Sequence, residues 1–85
     1  NDADSLYELA VKYELGNGVK KDIGKAISLY EQSAVKNHAE SQFSLGVLSA
    51  EGVSLEKDID AALFWWKKAA KNGHGKAQFN LAVGF

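Results

Sequence analysis

The sequence predicts an all-α fold: a solenoid of about five helices, arranged as antiparallel pairs stacked unit upon unit. Three observations carry this expectation. Displaced by 36 positions, the chain matches itself without a gap. Within each unit the apolar residues recur at helical spacing, not at the alternation of a strand. Proline is absent while there are eight glycines, so helices run uninterrupted and are punctuated by Gly.

The register is dense. His38 falls on His74, Gln42-Phe43 on Gln78-Phe79, Leu45 on Leu81 and Val47 on Val83. One unit earlier, Leu9 falls on Leu45, Val11 on Val47, Gly16 on Gly52, and Lys21-Asp22-Ile23 on Lys57-Asp58-Ile59. Ala26 and Ala34 meet Ala62 and Ala70, while Tyr7, Ile27 and Tyr30 meet Phe43, Leu63 and Trp66. Chance scatters matches; it does not align Gly, Asp and aromatic positions in one frame. Unit one is assigned to residues 3–38, unit two to 39–74 and a partial unit three to 75–85, all within a single repeat domain.

The first helix of each unit is expected over Ala3 to Glu14, Ala39 to Glu51, and Lys76 to the end. In the middle one, Ala39, Phe43, Gly46, Val47 and Ala50 form a stripe with Leu45 and Leu48 off it. Apolar residues on more than one side imply neighbours on more than one side, as for an inner solenoid helix. Ala10, Gly46 and Ala82 share one register position, where a small side chain admits the paired helix. Gly16-Asn17-Gly18-Val19 and Gly52-Val53-Ser54-Leu55 then join the helices of a unit, each with Gly where the first helix ends.

The second helices are more one-sided. Ile23, Ala26, Ile27, Tyr30, Ser33 and Ala34 line one face of a helix over Ile23 to Lys36. Ile59, Ala62, Leu63, Trp66, Ala69 and Ala70 repeat that face. Asp22 and Asp58 precede these runs, placed to cap the free N–H groups and to meet the positive pole. Lys67, Lys68 and Lys71 crowd the opposite pole, and Asn72-Gly73 supplies a left-handed stop that Asn37 repeats.

Composition excludes several functions. The 85 residues, 46% hydrophobic, suffice for one small core. A net charge of -1 offers no single-sign field, which argues against nucleic acid and anionic membrane partners. No apolar run is long enough for membrane insertion. The absence of cysteine removes disulfides and thiolate chemistry and leaves the compartment open. The lack of Met and the opening Asn1-Asp2-Ala3 are those expected of an excised piece or of a processed chain, removal of a targeting segment being one route to the latter.

No catalytic, cofactor or metal site is predicted. His38 and His74 occupy one register position, two helices apart, too far to share a metal; both read as helix-start residues. Asp22 and Asp58 read as caps, not as an acid pair. Gly16-Asn17-Gly18 has neither a strand before it nor a Lys-Ser/Thr after it, so it is no phosphate loop. Trp66 lies on the apolar face and is expected in the core. Trp65 sits at its edge, expected to pack on a neighbouring unit, with Phe64 off the face. The competing reading of these aromatics is a glycan, small-ligand or peptide platform.

These residues resemble the Sel-one-like repeat family, a branch of the tetratricopeptide-like solenoids. Unit one carries Leu9-Ala10, Tyr13, Gly16-Asn17-Gly18-Val19, Asp22, Lys25-Ala26, Tyr30 and Ala34 of its pattern. Unit two carries Leu45-Gly46, Gly52, Asp58, Ala61-Ala62, Trp65-Trp66, Lys68-Ala69-Ala70 and Gly73-His74, departing at Ser49 and in the loop. The resemblance covers essentially the whole chain. It implies a right-handed superhelix with a concave groove and a role as an adaptor for a protein or peptide partner. The settings it implies are membrane-protein quality control, cell-wall regulation and bacterial host interaction.

In the tetratricopeptide class the first helix of each pair lines the groove. Carried over by register, this gives Asp4, Tyr7, Val11 and Glu14; then Glu40, Phe43, Val47 and Ala50; then Lys76, Phe79 and Val83. Unit three supplies a first helix only, leaving Phe79, Leu81, Val83 and Phe85 without the second. The expectation is a fragment of a longer array that self-associates through this helix.

Overall fold

The computed structural model describes residues 2–51 and 59–82, the side chains of Asn80 and Ala82 excepted. The expected Asp58 cap, the Gly52-Val53-Ser54-Leu55 loop, Lys57, Val83, Gly84 and Phe85 lie outside the described residues. Within them are five helices and no strand: α1 (Asp2–Leu15), α2 (Ile23–Ala34), α3 (Ala39–Glu51), α4 (Ile59–Lys71) and α5 (Gly75–Ala82). None is long and apolar enough to cross a membrane. α1 pairs with α2 and α3 with α4, while α2 against α3 and α4 against α5 join the units into an α-solenoid.

The helix ends follow from local chemistry. Asp22 has extended backbone, and its Oδ1 accepts from the Lys25 N–H at 3.0 Å, so the expected cap opens α2. α2 stops at Ala34, two residues before the expected Lys36. There the bonds tighten, Lys36 N–H reaching Ser33 O and Asn37 N–H reaching Ala34 O. Asn37 then turns left-handed at φ 66°. Its register mate Gly73 does the same at φ 85°, with Gly73 N–H to Ala70 O and His74 N–H to Ala69 O. That bond pattern is the Schellman stop; Asn is the side chain that best tolerates the conformation where Gly is missing.

Two apolar clusters form the core. In the first, Ala26, Ile27, Leu29, Tyr30 and Ala34 of α2 meet Ala10 of α1 and Leu45 and Leu48 of α3, with Trp65 of α4 packed against them. In the second, Trp66 and its α4 neighbours meet Ala50 of α3 and Ala77 of α5, with Phe43 and Val47 against them. α3 is therefore covered from both sides, but the weighting differs from the expected stripe. Leu45 and Leu48, placed off that stripe, are buried against unit one, whereas Ala39, Phe43 and Val47 are only half-buried. The reason is that α3 is covered by α2 of unit one as well as by its own partner helix α4.

The small-residue position works as a paired choice. A Cβ built on Gly46 would lie 2.3 Å from Trp66 Nε1, so the indole occupies the space a methyl would need. In unit one the same pair is Ala10 with Tyr30, both fully buried: a methyl fits where the ring is smaller.

Candidate functional site

The first helices carry a row of rings and carboxylates, and the histidine that ends each unit ties that row to the start of the next first helix. His38 precedes α3, and its Nδ1 accepts from the N–H of Ser41 at 3.2 Å. That bond does the work of a side-chain N-cap. Nε2 therefore carries the proton and donates to Asp4 Oδ1 at 2.8 Å, back in α1. The imidazole face lies on Tyr7, centroids 5.1 Å apart.

The arrangement recurs one unit later. His74 Nδ1 accepts from the Ala77 N–H at 3.2 Å, opening α5, and Nε2 donates to Glu40 at 2.7 Å. The ring stacks on Phe43 at 4.5 Å and 17°. Each histidine thus caps one helix while bonding to a carboxylate 34 residues earlier.

Between these staples the row is continuous. Tyr7 packs on Tyr30, centroids 5.9 Å apart, and the Tyr30 hydroxyl donates to Glu14. Burial first, then the Glu14 bond and charge, raise the Tyr30 phenol far above its ordinary value. Tyr7 is raised by burial, then by the charges of Glu40 and Glu14, which places carboxylates of both units around one ring. Val11 and Val47 are half-buried against the two cores, and Ala50 is buried. Lys76 and Phe79 are exposed, Phe79 by 66%. Of the eleven row positions, Val83 alone lies outside the described residues.

Sequence reasoning missed the staples. It assigned the histidines to helix starts, where they are, but not their bonds back to Asp4 and Glu40. The signal was present: acid, aromatic and histidine keep the same spacing in both units. Ser41, His38 and Asp4 also form a hydrogen-bonded chain, although no catalytic site is expected from the sequence. That chain is not a nucleophile site. Ser41 is fully buried, its hydroxyl donates to Ser33 Oγ at 2.8 Å, and Ser33 in turn donates to Ala3 O. An acylating serine needs a hydroxyl open to substrate. Among the described residues no group of His, Asp or Glu is disposed to hold a metal.

Two glutamines complete the junctions. Gln42 Nε2 donates to Ala34 O, and Gln78 Nε2 to Ala70 O, each at 3.0 Å and each across a unit boundary.

The family model of the Sel1 repeat matches residues 3–38 and 39–74. No curated protein matches the chain. A Sel1 repeat protein from Oxalobacter formigenes superposes with a TM-score of 0.92 at 30% identity, over 98% of this chain and 34% of that one. A protective antigen present in uropathogenic Escherichia coli strains, displaying an SLR fold, superposes with a TM-score of 0.91 at 33% identity, over 96% of this chain and 18% of that one. The chain therefore spans about a third of the first structure and under a fifth of the second.

Proposed function

The chain belongs to the Sel1 repeat family, and from that premise we propose that it is a non-enzymatic scaffold whose first helices hold a protein or peptide partner. The observation that carries this reading is the row itself: carboxylates and half-exposed rings, set in one register by the histidine staples. Rings supply contact area at low entropic cost, and flanking charges orient a partner. Because Asp4, Glu14 and Glu40 sit beside Tyr7 and Phe43, a partner would read charge and shape together.

Placing a photo-crosslinking residue at Lys76 or Phe79, and separately at Ser28 on the outer side of α2, tests this. A scaffold using the row gives a discrete crosslinked protein partner from the first two positions and none from Ser28. Partners captured only from Ser28 would overturn the reading. The same proposal includes self-association through α5, supported by the exposure of Phe79. Light scattering should show mass rising with concentration, and Phe79→Ser should abolish the rise; a strict monomer at all concentrations would remove this part.

A further inference from the structure

The solenoid does not require an aromatic at position 64. Phe64 is the register mate of Ser28, and both are exposed, Phe64 by 53%. Unit one thus builds the same helix pair with a hydroxyl there. The next position is packed inward in both units, Leu29 within the first core and Trp65 against it. What unit two changes is the outward-facing set, with Phe64 for Ser28 and Lys68 for Gln32.

These residues shape a groove. The Phe64 ring meets Trp65 edge-on, centroids 5.1 Å apart at 80°, and Lys68 Nζ stands 5.1 Å from the Phe64 centroid. Across the seam, Val35 at the end of α2 is 73% exposed. An open cleft of about 290 Å³ lies between these elements, lined by Val35, Phe64, Trp65 and Lys68. Gln42 also lines it, with its amide already bonded to Ala34 O and Asn72. Among the described residues that line it none is a carboxylate, while Lys67 and Lys71 are exposed on the same turns of α4.

We propose that this seam between α2 and α4 is a second interaction surface, docking an acidic segment of a protein partner. One apolar side chain of the segment seats among Val35, Phe64 and Trp65, and flanking carboxylates meet Lys68 and Lys71. Charge complementarity selects the occupant: the lining offers apolar surface and cations, and a bare apolar ligand would leave the cations unused. The cleft is open and at the low end of the size of small-molecule sites, which suits a side chain or two of a peptide.

The test is fluorescence anisotropy with a dye-labelled peptide, acetyl-Glu-Asp-Leu-Phe-Glu-Asp-amide, and two counterparts. One carries Lys for every acid, and the other carries Ser for Leu and Phe. The acidic apolar peptide should bind, weaken with salt, and lose about tenfold in affinity to Phe64→Ser and to Lys68→Glu. Phe64→Ser installs the residue that unit one already tolerates in this register, so its thermal melting should stay near wild type. The inference is overturned if the acidic peptide fails to bind at millimolar protein. It is equally overturned if the Lys or Ser counterpart binds as well, or if Phe64→Ser leaves affinity unchanged. Capture by anionic vesicles that Phe64→Ser abolishes, without peptide binding, would assign the surface to lipid instead. Crosslinking along the first helices reports on different residues, so either result can fail alone.

Discussion

Gly46→Ala tests the packing logic most directly. The added Cβ would lie 2.3 Å from Trp66 Nε1 and 2.4 Å from Cδ1. Ordinary carbon contacts are about 3.5–4.0 Å, so the indole must withdraw by roughly 1 Å. It has nowhere to go, being 1% exposed within the second core. Overpacking of this kind costs about 1–3 kcal/mol, and two clashing ring atoms put it at the upper end. Replacing Gly by Ala within a helix offsets about 1 kcal/mol. The net expectation is a loss of about 2 kcal/mol, or about 8–16 °C in Tm at about 4–8 °C per kcal/mol for a domain of this size. Circular dichroism melts and urea titrations measure it. Trp66→Phe should rescue the variant, because a single six-membered ring makes room for the methyl, as Tyr30 does for Ala10. Phe is the right partner because the register mate of Glu14, which accepts the Tyr30 proton, is Ala50. The double variant should be more stable than the sum of the single effects by about 1–2 kcal/mol. A Gly46→Ala protein as stable as wild type, or strictly additive effects, would refute the reasoning.

Three further outcomes are expected. Asp22→Ala removes the acceptor for the Lys25 N–H and should cost about 1 kcal/mol, read as a lower urea midpoint. His74→Ala loses the cap of α5 and the stack on Phe43, about 2 kcal/mol together. His74→Asn keeps a capping acceptor and should lose about half of that; equal losses would show that the cap contributes nothing. The third concerns alkaline pH. Tyr30 is raised above its ordinary 10.0 by burial and then by Glu14, so the folded chain holds this proton more tightly than the unfolded one. Its contribution is complete below the unfolded value and declines as pH rises above it. Stability should fall above about pH 10, and Tyr30→Phe should flatten that fall relative to wild type.

What the sequence made legible was whatever repeats at helical spacing. Burial of Ala26, Ile27, Tyr30, Ser33 and Ala34 followed from the face of α2, and Asp22 from its place before the run. The left-handed Asn37 followed from its register mate Gly73. The α3 stripe was less legible, because a helix covered from both sides has no polar face to anchor the reading. Leu45 and Leu48 lie off that stripe, and their burial against unit one answers to the neighbour expected on a second side. The staples were harder still. Asp4 and His38 lie 34 residues apart, and only the superposition of both units shows the spacing as a pattern. An imidazole as a helix cap also lies outside the Ser, Thr, Asp and Asn set that marks helix starts.

The two units act as controls for each other, and the comparison separates what the solenoid needs from what it tolerates. Both junctions keep the histidine cap, the carboxylate, the ring and the glutamine, so these hold unit to unit. Ser33 and Ser41 bridge the first junction, yet their register mates Ala69 and Ala77 pack the second dry. The serine pair is therefore one solution among others. Lys76 is a different kind of change. It occupies the position of Asp4 and Glu40, three residues before Phe79, the mate of Tyr7 and Phe43. A histidine set over Phe79 in the manner of His38 and His74 would aim its Nε2–H at an ammonium that has no lone pair to accept it. The ring seat is kept while the polar half of the lock is reversed. A group set over Phe79 in the same geometry would have to bring an acceptor where His38 and His74 bring a donor, and a carboxylate answers to that chemistry.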